Sequence, residues 1–197
     1  MANAIYESSR GYDVIPLEDT FLRDRKIFLC GEVDAVHMDQ LVKQVMYLDS
    51  VSKTEEITLY INSHGGSVQD GLALYDTLRL VQAPIRTVST GIAASMGAVL
   101  FLAGDKREML PHSKLMIHDP SFSSMNLGGK KSAEVQLLLD NLNECRQLTA
   151  SIIAERTGKN LEEVYQVTAV DTYYTAKEAV EWGLATAIIE SEKEKKQ

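Results

Sequence analysis

Ile85-Arg86-Thr87-Val88-Ser89-Thr90 is a β-branched run, and it leads into Gly91-Ile92-Ala93-Ala94-Ser95-Met96-Gly97-Ala98 and then Val99-Leu100-Phe101-Leu102-Ala103. The first stretch predicts a strand, the small residues a tight turn, and Met96 to Ala103 a buried helix. A strand that feeds a helix through small residues is the building block of an α/β fold. The same order recurs on either side. Upstream, Lys26 to Cys30 and Ile57 to Ile61 read as strands. Met38 to Leu48 carries Leu41, Val42, Val45, Met46 and Leu48 at helical spacing, and Val68 to Val81 does so through Leu72, Leu74, Leu78 and Leu80. Downstream, Leu115 to Ile117 ends a further short strand. The alternation predicts an α/β architecture of mostly parallel strands with flanking helices. Residues 1–19 mix polar and turn-forming types and suggest no regular element.

Lys131 to Arg156 departs from this rhythm. Its apolar residues Val135, Leu138, Leu142, Cys145 and Ile152 keep helical spacing, and Gly158 follows as a stop signal. Such a helix is about 40 Å long at about 1.5 Å per residue. Leu137, Leu138 and Leu139 spread apolar groups over more than half its circumference. An ordinary core helix is one reading. The favoured one is a helix that projects and packs on a neighbouring subunit.

Composition narrows the function classes. The chain has 197 residues, 45% of them hydrophobic and 24% charged, as suits a soluble globular domain. A net charge of −8 argues against a nucleic-acid surface. No stretch reaches membrane-span length, and Met1 to Arg10 holds no signal-like apolar run, so the expected location is cytoplasmic. Cys30 and Cys145 have no metal-site spacing, and both read as small buried hydrophobes. The cysteines suggest no metal site. A charged tail occupies residues 191–197.

Ser95 is the first candidate for chemistry. It lies where the strand turns into the helix, and there the Met96 N–H, lacking an intrahelical partner, is suited to stabilise an oxyanion. A plain helix N-cap is the commoner role for such a serine. Tyr60-Ile61-Asn62-Ser63-His64-Gly65-Gly66-Ser67 suggests a second backbone donor, or else an ordinary tight turn; it has no Gly-Lys-Ser/Thr ending of a phosphate loop. His118 closes the apolar strand Lys114 to Ile117, where a general base can meet a nucleophile, though structural histidines also occupy strand ends. Asp119 is a poor orienter for it, because neighbours on a strand point to opposite faces. Asp171 is a candidate orienter or a cap for the helix Ala176 to Trp182.

Together these segments resemble the Clp protease proteolytic-subunit family. The resemblance rests on Tyr60-Ile61-Asn62-Ser63 with Gly65-Gly66, Gly91 to Ala98 around Ser95, Met116-Ile117-His118-x-Pro120, Glu155-Arg156-Thr157-Gly158, and Asp171 with Ala176-x-Glu178-Ala179-x-x-x-Gly183-Leu184. It covers roughly Gly11 to Ile189. It implies a crotonase-like fold with a projecting handle helix at about 131–157, a peptidase domain over 20–190 and an axial-loop segment over 1–19. Carried over, Ser95 is the nucleophile, His118 its base and Asp171 the orienting carboxylate, with Gly66 and Met96 as oxyanion donors. The implied protein is a serine endopeptidase without cofactor. It assembles as a heptameric ring that pairs into a double ring, and a Clp AAA+ ATPase feeds it unfolded polypeptide. The family's proline before the glycine pair is His64 here, and the glutamine after the histidine is Asp119. The charged residues before the aspartate are Val167, Ala169 and Val170, the loop Ser121 to Gly129 is longer, and Met1 to Arg10 lacks the apolar start. These departures bear on ring stacking and ATPase docking and leave the three candidate residues in place. Two other readings remain at this point: a weakly active or structural subunit that assembles with an active paralogue, and a crotonase-type acyl-CoA enzyme.

Overall fold

A computed structural model describes residues 2–8, 11–122 and 127–190. Its centre is a mostly parallel sheet of β3 (Lys26–Val33), β4 (Ile57–Gly66), β5 (Ile85–Ala94), β6 (Lys106–Met109), β7 (Lys114–Ile117), β8 (Thr172–Thr175) and β9 (Ala187–Ile188). The order β3-β4-β5-β6-β9 is parallel throughout, as expected where helices connect the strands. β7 joins β5 in parallel, and β8 runs antiparallel to β7.

β5 changes neighbour along its length. Arg86 to Ser89 pair with β6, whereas Ile92 to Ala94 pair with β7. The change falls at Gly91, where a Cβ would press on the Asn62 side chain at 2.6 Å. The Asn62 carboxamide oxygen accepts the Ile92 N–H at 3.2 Å across this point.

The helices are α1 (Leu17–Arg23), α2 (Ala35–Val51), α3 (Val68–Leu80), α4 (Met96–Leu102), α5 (Ser132–Thr157), α6 (Leu161–Thr168) and α7 (Ala176–Trp182). Four begin with side-chain caps. Asp34 accepts from His37 N–H, Ser67 from Asp70, Asn160 from Glu163 and Thr175 from Glu178. Thr175 therefore fills the cap position of α7, and Asp171 is free for another role. All seven residues of α4 are buried between the sheet and its neighbouring helices, which makes it the core of the molecule. Each large core side chain such as Phe101 or Leu100 contributes about 2 kcal/mol by burial. The Arg156 guanidinium donates to the Leu102 carbonyl at 2.8 Å and to Gly104 at 2.7 Å, so a cation closes the negative end of α4.

α5 runs for 26 residues and ends at Gly158 in the left-handed conformation, φ 75°. Its buried residues are Thr149, Ala150, Ile152 and Ile153, all in the last third. The preceding turns project from the body, with Leu137 61% and Leu139 44% exposed.

Three readings differ from the structure. Cys30 is exposed and Cys145 only half buried, so neither is a core hydrophobe. Strand alternation explains Cys30: Ile27 and Leu29 take the core face, which turns Phe28 and Cys30 outward. β3, β4 and β5 also run past their apolar stretches, because ladder pairing continues through small residues. Within residues 1–19, β1 (Asn3–Ser8) and β2 (Gly11–Pro16) form an antiparallel hairpin. Its Ile5, Tyr12 and Val14 stay exposed, so no burial period marks it in the sequence. Of the longer loop 121–129, residues 123–126 lie outside the described residues, as does the tail 191–197.

Candidate active site

Strand register brings the candidates together. Ala94 pairs with Met116 across β5 and β7, and the Ser95 N–H donates to the Met116 carbonyl at 2.9 Å. His118 follows two residues after Met116. Ile117 pairs with Thr172 across β7 and β8, which puts Asp171 opposite His118. On the far side of β5, Ser63 pairs with Ala93, so Gly65 and Gly66 reach the level of Ser95. The strand ends of β3, β4, β5 and β7 thus converge at the carboxyl edge of the sheet, where α/β folds place their ligands.

Ser95 joins β5 to α4 with φ 53° and ψ −122°. Positive φ is costly for a residue with a Cβ, and such strain gathers at functional sites. Ser95 occupies the N-cap position of α4, yet its side chain makes no capping bond. The Oγ instead lies 2.8 Å from His118 Nε2. His118 Nδ1 lies 3.0 Å from Asp171 Oδ1. An ionised carboxylate only accepts, so Nδ1 carries the proton and donates to Asp171, which leaves Nε2 to accept from the serine hydroxyl. The His118 side chain is 22% exposed and that of Asp171 60%, so the pair opens toward solvent at the Asp171 end. The Thr172 hydroxyl donates to the Val167 carbonyl at 2.6 Å and braces the turn that presents Asp171.

The glycine pair is packed against the turn that carries Ser95. A Cβ on Gly65 would lie 2.8 Å from both the Ala94 carbonyl oxygen and the Ser95 Cβ. A Cβ on Gly66, at φ 150°, would collide with the Val33 carbonyl. Only glycine lets this backbone face the serine. Met96 opens α4, so its N–H has no acceptor within the helix. Met96 is held from above by α3, whose Gly71 has no room for a Cβ beside the Met96 side chain.

A cleft beside Ser95 is lined by Val68, Met96, Val99, Ile117, Thr149 and Ile153, largely apolar. It continues into an open groove past Glu32, Gly66, Ser67 and Ser121. Of these lining residues the sequence singled out only Gly66 and Met96, as backbone donors; the others come from separate elements. Among the described residues no cluster of three or more His, Cys, Asp or Glu suits a metal. No described helix is long and apolar enough to cross a membrane.

The family model for Clp protease matches residues 8–192. This chain belongs to the Clp protease family. It is 37% identical over 193 residues to the ATP-dependent Clp protease proteolytic subunit of Ligilactobacillus salivarius (strain UCC118), covering 96% of this chain and 95% of that protein. As a Clp protease it is a peptide-bond hydrolase, which sets aside the acyl-CoA reading. The mostly parallel sheet, flanking helices and projecting α5 agree with the fold expected of a Clp protease.

Proposed function

We propose that this Clp protease is a serine endopeptidase with Ser95 as nucleophile, His118 as general base and Asp171 as orienting carboxylate. One observation carries the reading: an unbroken chain from Ser95 Oγ through His118 to Asp171, with separations of 2.8 Å and 3.0 Å. Ser95 Oγ attacks the scissile carbonyl while His118 Nε2 takes its proton. The carbonyl oxygen becomes an oxyanion held by the N–H groups of Gly66 and Met96. His118 then protonates the leaving amine, and a water, deprotonated by the same imidazole, releases the acyl group from Ser95. Asp171 stabilises the imidazolium at each stage. The apolar wall beside Ser95 packs against the substrate side chain on the acyl side of the bond.

The working form is a heptameric ring that pairs with a second ring in the cytoplasm, and a Clp AAA+ ATPase supplies unfolded polypeptide. The relative's name, an ATP-dependent proteolytic subunit, supports this assignment. So does the exposed apolar stretch of α5, which gains by burial against another subunit. The intact hydrogen-bonded chain favours an active subunit over a structural one. A serine-directed fluorophosphonate tests the chemistry. Covalent labelling of the parent at Ser95, absent in Ser95→Ala, is expected; labelling elsewhere, or an unlabelled parent, overturns it.

A further inference from the structure

The site contains a carboxylate that the triad does not use. Asp119 directly follows His118, and its side chain is 26% exposed. Its Oδ1 accepts the Thr168 hydroxyl at 2.6 Å, and its own N–H donates to the Thr168 carbonyl at 2.7 Å. Its Oδ2 accepts Arg146 Nε at 2.6 Å. The Arg146 guanidinium lies over the Tyr165 ring, 4.4 Å from its centroid. Asp119 thus ties the end of β7 to α5 and to α6.

These ties close a circuit. His118 is covalently joined to Asp119, Asp119 is bonded twice to Thr168, Ala169 and Val170 lead from Thr168 to Asp171, and Asp171 returns to His118 Nδ1 at 3.0 Å. β7 ends at Ile117, so the regular ladder stops just before the imidazole. Beyond that point the Asp119–Thr168 pair holds the His118 backbone, and it does so from the segment that carries Asp171. Thr168 is 2% exposed, so its hydroxyl has little water to turn to. Arg146 neutralises the carboxylate and stops it swinging away from Thr168.

We propose that Asp119 is a positioning residue of the peptidase: held between Thr168 and Arg146, it sets the separation of His118 and Asp171. The proposal rests on the triad reading above. It predicts a loss in the chemical step rather than in binding, because misplacing a catalytic group by about 1 Å can cost about 100-fold in rate.

The test uses the full chain and a short fluorogenic peptide. Asp119→Ala removes the whole tie. Thr168→Val keeps charge and nearly keeps volume while removing only the side-chain bond. Both are expected to lower kcat at least about tenfold with KM within about twofold of the parent. Fluorophosphonate labelling of Ser95 should slow in proportion. Asp119→Asn, which keeps an acceptor for Thr168, should recover part of the loss. If both variants keep kcat within about twofold of the parent while assembled, Asp119 is a structural anchor and the proposal falls. A rise in KM at unchanged kcat overturns it as well. Should Asp119→Ala fail to assemble, Thr168→Val alone decides. An unlabelled parent would instead remove the serine-peptidase reading itself.

Discussion

His118 faces Asp171 across the antiparallel β7–β8 ladder, with Nδ1 3.0 Å from Oδ1, while the same imidazole reaches Ser95 Oγ at 2.8 Å on the neighbouring parallel strand. One ring therefore spans three adjacent strands. Ser95→Ala, His118→Ala and Asp171→Asn should each lower kcat for a short peptide by about 1,000-fold or more, because triad members act as a unit. Single-turnover and steady-state assays check this. Ser95→Ala should keep the parent's assembly, since it removes one partly exposed hydroxyl and leaves no sizeable cavity.

The glycine pair should tolerate no side chain. Gly65→Ala pushes a methyl against the Ala94 carbonyl and Ser95, and Gly66→Ala pushes one against Val33. Each is expected to abolish peptide cleavage. The expected destabilisation is about 1–3 kcal/mol, read from the urea midpoint. Wild-type activity in Gly66→Ala would exclude that backbone from the oxyanion site.

The cleft lined by Val68, Met96, Val99, Ile117 and Ile153 predicts substrate choice. Peptides with Leu or Met before the scissile bond should exceed those with Asp there by at least about tenfold in kcat/KM. An ionised carboxylate gains no partner in an apolar cleft and is costly to desolvate. A peptide series differing at that one residue measures the ratio.

Glu178 adds an acid-sensitive contribution to stability. Its carboxylate accepts the Thr175 N–H at 2.8 Å and the Thr175 hydroxyl at 2.7 Å. The backbone bond, then the side-chain bond, hold its pKa below the ordinary 4.5. A depressed carboxylate stabilises the fold fully above its unfolded value and loses that contribution as pH falls through the folded one. Glu178→Gln should therefore be less stable than the parent above about pH 5 and converge with it as pH falls through the folded pKa. Urea midpoints across that range at fixed protein concentration check the sign.

The projecting part of α5 should govern assembly. Leu137→Asp combined with Leu139→Asp is expected to weaken assembly of the ring, since both leucines are exposed on a stretch of helix with no buried residue. Pairing in the parent should itself depend on concentration and salt. Ala169 and Val170 offer no charge-assisted hydrogen bonds, although Val170, 67% exposed, can supply an apolar contact. Analytical ultracentrifugation measures both. A parent double ring that persists at high dilution contradicts weak pairing, and a stable monomer removes the ring altogether.

The sequence by itself determined the alternation of elements, the long helix with its stop at Gly158, and the turn that carries Ser95. Each rests on local chemistry: β-branched runs, helical spacing, small residues at a close approach, and a glycine free to adopt positive φ. Through its resemblance to the Clp protease family it also pointed to Ser95, His118 and Asp171 as the candidate triad. Only the tertiary structure decided which faces are buried. Cys30 sits in an apolar run but follows strand parity outward, since Ile27 and Leu29 already hold the core face. Only the tertiary structure, too, turned Asp119 from a neighbour pointing away from His118 into the tie between β7, α5 and α6. Its partners Arg146 and Thr168 are 27 and 49 residues distant, and no local periodicity links positions so far apart. The geometry of the candidate site belongs to the same class of fact, because strand register, a long-range property of backbone pairing, sets Ser95, His118 and Asp171 side by side.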